Sequence, residues 1–153
     1  MATPIRAHDW VERLHRSTMQ WKDEPFAWGV HDCATAVSKH IKAMTGIDVG
    51  RGICGTYSSP ETAAAAIRKL TGKGETLEDA VVHICGAHDF AEIPVKMAHR
   101  GDVVLFDTPW GQAIGVVHLN GIDAAVTGPE GLRRLRTLHA RRAWRIPYVL
   151  SSK

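Results

Sequence analysis

The period at which apolar residues recur changes near residue 101. Before it the spacing is helical. Trp10, Val11, Leu14 and Trp21 fall on one face of HDWVERLHRSTMQW (8–21), which reads as an amphipathic helix broken by Lys22-Asp23-Glu24-Pro25. A second helix should start near Asp32, whose carboxylate can cap the free N–H groups. It continues through Ala34, Val37, Ile41 and Met44 until Gly46 stops it. Residues 47–59 read as loop. Ser59-Pro60 is a helix start with proline at the first position, followed by ETAAAAIRKL and a stop at Gly72. Leu77 to Ile84 is a further short helix, and 86–100 is irregular.

From Gly101 onward the segments VVLF, AIGVVHL, AAVTG, LRRLRTL and AWRIPYVL read as short strands separated by Gly, Pro, Asp and Asn. Helices first and antiparallel strands second is the α+β pattern. No internal repeat interrupts it, and the 153 residues suit one domain spanning 1–153.

Composition narrows the class. A hydrophobic content of 44% with 23% charged residues is ordinary for a globular protein. No apolar run approaches the roughly 20 residues of a membrane helix. The N-terminal MATPIRAHDW lacks the basic-then-apolar pattern of a secretory signal, so synthesis in the cytosol is expected. Three cysteines, an odd and small number, argue against a disulfide framework and for reduced thiols. A formal charge of +3 is too weak to imply nucleic acid.

The chemistry that stands out is Cys33. A thiol in the first turn of a helix meets the positive end of the dipole and free N–H groups, which stabilise a thiolate, while Asp32 beside it works against that. The alternative is a small buried residue that anchors the helix.

Phe26-x-Trp28-Gly29-x-x-Asp32-Cys33 resembles the aromatic-x-Trp-Gly…Asp-Cys signature of NlpC-type cysteine peptidases. Gly101-Asp102-Val103-Val104-Leu105-Phe106 resembles that family's Gly-Asp strand. Ala113-Ile114-Gly115-Val116-Val117, followed by Asn120-Gly121, resembles its second strand and turn. Trp10, Thr45-Gly46-x-Asp48, Tyr57 and Ala143-Trp144-Arg145 extend the likeness to an uncharacterised branch of the superfamily found in phage and prophage tail gene modules. The resemblance implies a papain-like NlpC fold, with the Cys33 helix packed on a C-terminal antiparallel sheet or partial barrel. It implies no cofactor.

A cysteine peptidase also needs a base within reach of the thiol and a group that orients the base. The resemblance places that base at Ala113, which cannot take a proton. His118 lies on the same expected strand at an odd offset, which turns it to the opposite face. His31, two residues before Cys33, can approach from the loop side. Gln112 is an amide and no base. On the following strand, where the family carries its third polar residue, the chain offers Ala124, Ala125, Val126 and Thr127, of which only Thr127 is polar.

Two other patterns compete. His31/Cys33 and His83/Cys85, with His88 nearby, suit zinc chemically, yet no second ligand pair completes a four-ligand set. The bland alternative is a helix-end cysteine with solvated histidines. Arg133, Arg134, Arg136, Arg141, Arg142 and Arg145 can fork onto carboxylates of a partner. Leu132, Leu135 and Leu138 interleave them, which is equally the pattern of strands with one wet face. The run lacks the aromatics that would stack bases. The first expectation is thus a structural, catalytically silent tail-tip or hub component, located in the virion tail and contacting other tail proteins, or cytoplasmic outside a particle. The second is an active peptidase cutting peptidoglycan stem peptides during phage entry, with Cys33 as nucleophile and His31 or His118 as base. The third is a metal-binding module.

Overall fold

The computed structural model describes residues 3–148. Four helices, α1 (Trp10–Trp21), α2 (Cys33–Thr45), α3 (Pro60–Thr71) and α4 (Leu77–Ala87), precede most of the strands. The strands are β1 (Glu92–Ile93), β2 (Val103–Thr108), β3 (Gly111–Val117), β4 (Asp123–Gly128), β5 (Gly131–Arg136) and β6 (Arg142–Trp144). They form one six-stranded antiparallel sheet in the order β1-β6-β2-β3-β4-β5, which leaves β1 and β5 as open edges, so the barrel is not closed. The architecture is α+β. No helix among the described residues is long and apolar enough to cross a membrane.

The helix starts follow from capping chemistry. The Asp32 carboxylate accepts from the Thr35 N–H while the Thr35 hydroxyl accepts from the Asp32 N–H, and Ser59/Thr62 and Thr76/Asp79 repeat the exchange at α3 and α4. That third box carries α4 to Ala87, beyond the expected Ile84. Residues 86–100 are not wholly irregular. They contain β1, which at two residues is too short to show a period, and a 3-10 turn at Val95–Met97.

Three strands stop short of their expected ends. β3 stops at Val117, because the His118 N–H donates to Asp123 and the Gly121 N–H donates back to His118, turning the chain. β5 stops at Arg136 and continues as a 3-10 turn, Thr137–His139. β6 ends at Trp144. Pairing with β2 ends at Val103↔Trp144, the Arg145 N–H donates to the Ala91 carbonyl on the β1 side, and Pro147 has no N–H to offer a neighbour. The expected strand tail at Val149 and Leu150 lies outside the described residues.

The sheet divides the core in two. Val103, Leu105, Ile114, Val116 and Trp144 pack with Leu14, Val37, Ile41 and Met44 from the helices. Val104, Phe106, Ala113, Val117, Ala124 and Val126 form the second cluster, covered by Val95, Ala98 and Ala140 rather than by a helical layer. Burial on both faces explains why VVLF is a continuous apolar run instead of an alternating one.

A buried ion pair closes the domain. Asp102, fully buried at the start of β2, accepts from Arg6 Nη2 at 2.6 Å, from Arg145 Nε at 3.0 Å and from the His99 N–H at 2.9 Å. Arg6 is nearly as buried, donates further to Ile146 and Arg100 carbonyls, and lies 4.3 Å over Trp10 and 4.9 Å over Tyr148. Gly101 makes room for it. Its φ is +84°, and a Cβ there would stand 2.6 Å from Arg6 Nη1 and 2.9 Å from Trp10.

Removing one member of a buried pair leaves the other charge uncompensated, at a cost of about 3–5 kcal/mol. Asp102→Ala is expected to lose that much in urea unfolding. Arg145→Ala should lose less, because its side chain is 27% exposed and Arg6 still neutralises Asp102. Equal losses in the two variants would show that Arg6 is not the partner that matters.

Candidate functional site

Cys33 is the first residue of α2 and is partly buried. Its surroundings are set by a local opening of the sheet. β3 and β4 pair only at Val116↔Ala125 and Val117↔Ala124. Beyond that point their main-chain groups are free to find other partners, and the Cys33 sulfur lies between them. It donates weakly to the Thr127 carbonyl at 3.9 Å and accepts from the Ile114 N–H. Ile114 belongs to the helix-side cluster and Ala113 to the other, and Cys33 packs against both.

This setting reverses the expected effect of the helix dipole. Burial pushes the Cys33 thiol up from 9.0 to about 11; the Ile114 N–H offsets this only partly, and the Asp32 charge adds to it. Asp32 itself is spent on the fold, accepting from the Gly29 N–H at 2.9 Å and the Thr35 N–H at 2.9 Å. Gly29 is required there: its φ is +77°, and a Cβ would fall 1.8 Å from the Tyr57 carbonyl. Tyr57, beside it, has its phenol pushed above the usual range by burial first and by the Asp32 carboxylate second.

The candidate bases point elsewhere. The His31 ring is 2% exposed, stacked on Trp21 with centroids 5.5 Å apart, and its Nδ1 accepts from Lys39 Nζ at 2.9 Å. Burial and the Lys39 charge hold its pKa below the ordinary value. His118 lies past the end of β3, where its Nδ1 accepts from the Asn120 N–H and its neighbours are Arg134, Asp123 and His15. Ala113 is 1% exposed, within the cluster that holds Phe106 and Val126. Gln112 is occupied by Glu78, accepting from its N–H and donating to its carboxylate. The hydrogen bonds of the Cys33 sulfur are to main-chain groups.

The metal candidates are not brought together. His83 is exposed on α4, Cys85 faces the core, and His88 Nδ1 donates to the Ile84 carbonyl. Among the described residues no group of three or more His, Cys, Asp or Glu side chains is placed to hold an ion.

The arginines separate into two groups. Arg141 pairs with Glu78 and Asp107, and Arg142 with Glu78 and Glu92, bracing α4 against the sheet and holding the Glu78 carboxyl down at about 2. These two are committed within the chain rather than presented to a partner. Arg133, Arg134 and Arg136 are exposed on the edge strand β5, where Arg133 lies 4.7 Å over Trp110 and Arg136 reaches Asp123 at 3.6 Å.

Sequence reasoning missed an apolar cavity of about 550 Å³ that reaches Cys33. Its lining comes from α2, α3, α4, the 49–57 loop and β3, and includes Cys54 and Cys85 as well. The signal was diffuse: small residues in the ETAAAAIRKL helix where a filled core would carry large ones. A second unforeseen feature is His40, whose Nδ1 is 2.7 Å from the Ser17 hydroxyl in a buried contact between α1 and α2.

Two outcomes follow from these protonation states. Burial pushes Cys33 and Cys54 to about 11 and Cys85 to about 12, so folded protein at pH 8 should resist iodoacetamide at all three positions. Alkylation of Cys33 should then quicken about tenfold per pH unit between 9 and 11; peptide mapping that finds Cys33 modified at pH 8 at the rate of a free thiol would contradict this geometry. For His40, burial first, then His31 and Lys39, lowers the pKa from 6.5 to about 4. Between those values the unfolded chain takes up a proton that the folded one refuses, so this contribution to stability is present above 6.5 and lost as pH falls toward 4. The urea midpoint of His40→Gln should show a shallower fall than wild type across that window, and parallel curves would remove His40 as the cause.

No curated protein matches the chain. A family model described as "Domain of unknown function (DUF6950)" matches residues 5–146, from just before Arg6 to just beyond Trp144, and the chain belongs to that family.

Proposed function

We propose that this domain is a structural component of a phage or prophage-derived tail tip or hub, built on an NlpC-like, papain-like scaffold that no longer hydrolyses peptides. The observation that carries the non-hydrolytic half is the state of Cys33. Its sulfur is held by main-chain groups of two strands, burial keeps the thiol neutral to about 11, and the candidate bases His31 and His118 are engaged by Lys39 and Asn120. Thiolate attack on an amide needs a deprotonated sulfur and a proton for the leaving amine. A positioned acid–base group contributes about 10² to 10⁴ in rate. Neither requirement is met by the contacts around Cys33.

The tail-tip half rests on the resemblance of the Trp-Gly…Asp-Cys, Gly-Asp and Ala-Trp-Arg blocks to chains from tail gene modules. A helix bearing the cysteine, packed on an antiparallel sheet, agrees with that likeness. Arg133, Arg134 and Arg136, exposed on an open edge, supply forks for carboxylates of a neighbouring tail protein.

The reading is tested in two parts. Purified protein incubated with peptidoglycan fragments should release no new amines above the blank, and Cys33→Ala should behave identically. Turnover that disappears in Cys33→Ala would make the peptidase the correct function. In a tail-assembly system, Arg134→Glu and Arg136→Glu should fold normally yet enter particles poorly; normal incorporation of both would count against the tail-tip role.

A further inference from the structure

We propose that the cavity between α2, α3 and α4 is a binding site for an aliphatic chain carrying a non-anionic head. The inference goes beyond the tail-tip reading and does not depend on it. Protein interiors are close-packed, with few voids larger than a water molecule. Here about 550 Å³ is left open, within the roughly 300–1,000 Å³ typical of ligand pockets. Its wall is formed chiefly by side chains such as Val37, Ile41, Ile53, Ala64, Ile67 and Ile84. Water finds few partners against such a wall, whereas apolar guests enter apolar cavities readily.

The polar groups that do reach it define the head. Asp32 and Glu75 are the charged residues of the lining, which contains no Lys, Arg or His. Glu75 is paired with Arg68 at 2.6 Å, whereas the Asp32 carboxylate is held by the uncharged Gly29 and Thr35 N–H groups. A carboxylate or phosphate head would therefore meet like charge at Asp32, while an uncharged or ammonium head would not. The exposed lining residues include Trp28, Trp110 and Pro60, which mark the opening. Trp110 already carries Arg133 at 4.7 Å, so Trp28 is the rim indole suited to the junction between an apolar chain and a polar or cationic head. The thiols of Cys33, Cys54 and Cys85 stay neutral by burial and add no charge to the wall.

The test uses N-phenyl-1-naphthylamine, an uncharged apolar fluorophore, titrated into the whole purified chain. Saturable enhancement is expected, reversed by decyltrimethylammonium and by decanol, with decanoate at least tenfold less effective, all below micelle-forming concentrations. Ala64→Phe should weaken probe binding at least tenfold. Ala65→Phe, one residue along α3 at an exposed position outside the lining, should bind as wild type. Absence of saturable enhancement in wild type overturns the site. Equal displacement by decanoate overturns the head assignment, and wild-type binding by folded Ala64→Phe overturns the location. The displacement series is made on the unaltered protein and decides even where Ala64→Phe does not fold.

Discussion

Arg6 and Asp102 are opposite charges that this fold removes from water together, and much of the remaining arrangement depends on their being paired. They lie 96 positions apart, so their contact joins the segment before α1 to the first long strand. Arg145 adds the end of β6 to the same carboxylate. Burying either charge alone would be far more costly than leaving it solvated, so the pair forms only when all three segments are in place. That coupling makes it a closing element of the domain. Burial pulls the Arg6 guanidinium below its ordinary pKa while Asp102 opposes that shift, which is the balance expected of a charge kept by its partner.

The same pair explains why parts of the chain are recognisable. Gly101-Asp102 reads in sequence as the opening of a strand, and so it is. Its constraint comes from elsewhere, because Gly101 must admit Arg6 and Trp10. Trp10, Gly29, Gly46 and Trp144 likewise hold structural posts: a cover for Arg6, a crossing beneath Tyr57, the left-handed close of α2 and a core position. Motifs of this kind speak for a fold and say little about chemistry. Asp32 belongs with them, since its carboxylate is consumed by the cap.

Helices and strands were legible because their signals are local. Capping residues, prolines and glycines mark the ends of α2 and α3, and the change of period marks the sheet. What escaped was set by distant partners. β1 exists because β6 pairs with it, and His118 leaves the strand because Asp123 returns to meet its N–H. The protonation of Cys33 stays open in the sequence for the same reason. Its position at a helix start is visible in sequence, but Thr127 and Ile114, which enclose it, are more than 80 residues away. Burial is a property of the assembled neighbourhood, and here it outweighs the dipole. The cavity is less legible still, being defined by where side chains fail to meet.

The surroundings of Cys33 differ from a peptidase site at more than one residue. Alanine stands where the NlpC resemblance expects a histidine, yet position 113 is closed on all sides by the cluster of Val104, Phe106 and Val126. An imidazole placed there would be a polar ring in an apolar setting, with no partner to orient it and a burial cost opposing its charged form. The sulfur, for its part, fills the gap where β3 and β4 separate, and freeing it would leave the Thr127 carbonyl and the Ile114 N–H without that partner. A thiolate poised for attack would need the sulfur released from its main-chain partners and a base supported by a second polar group. Each of these conflicts with the packing that now surrounds Cys33. A thiol held this way serves the junction of helix and sheet, at the wall of the apolar cavity that α3 and α4 complete.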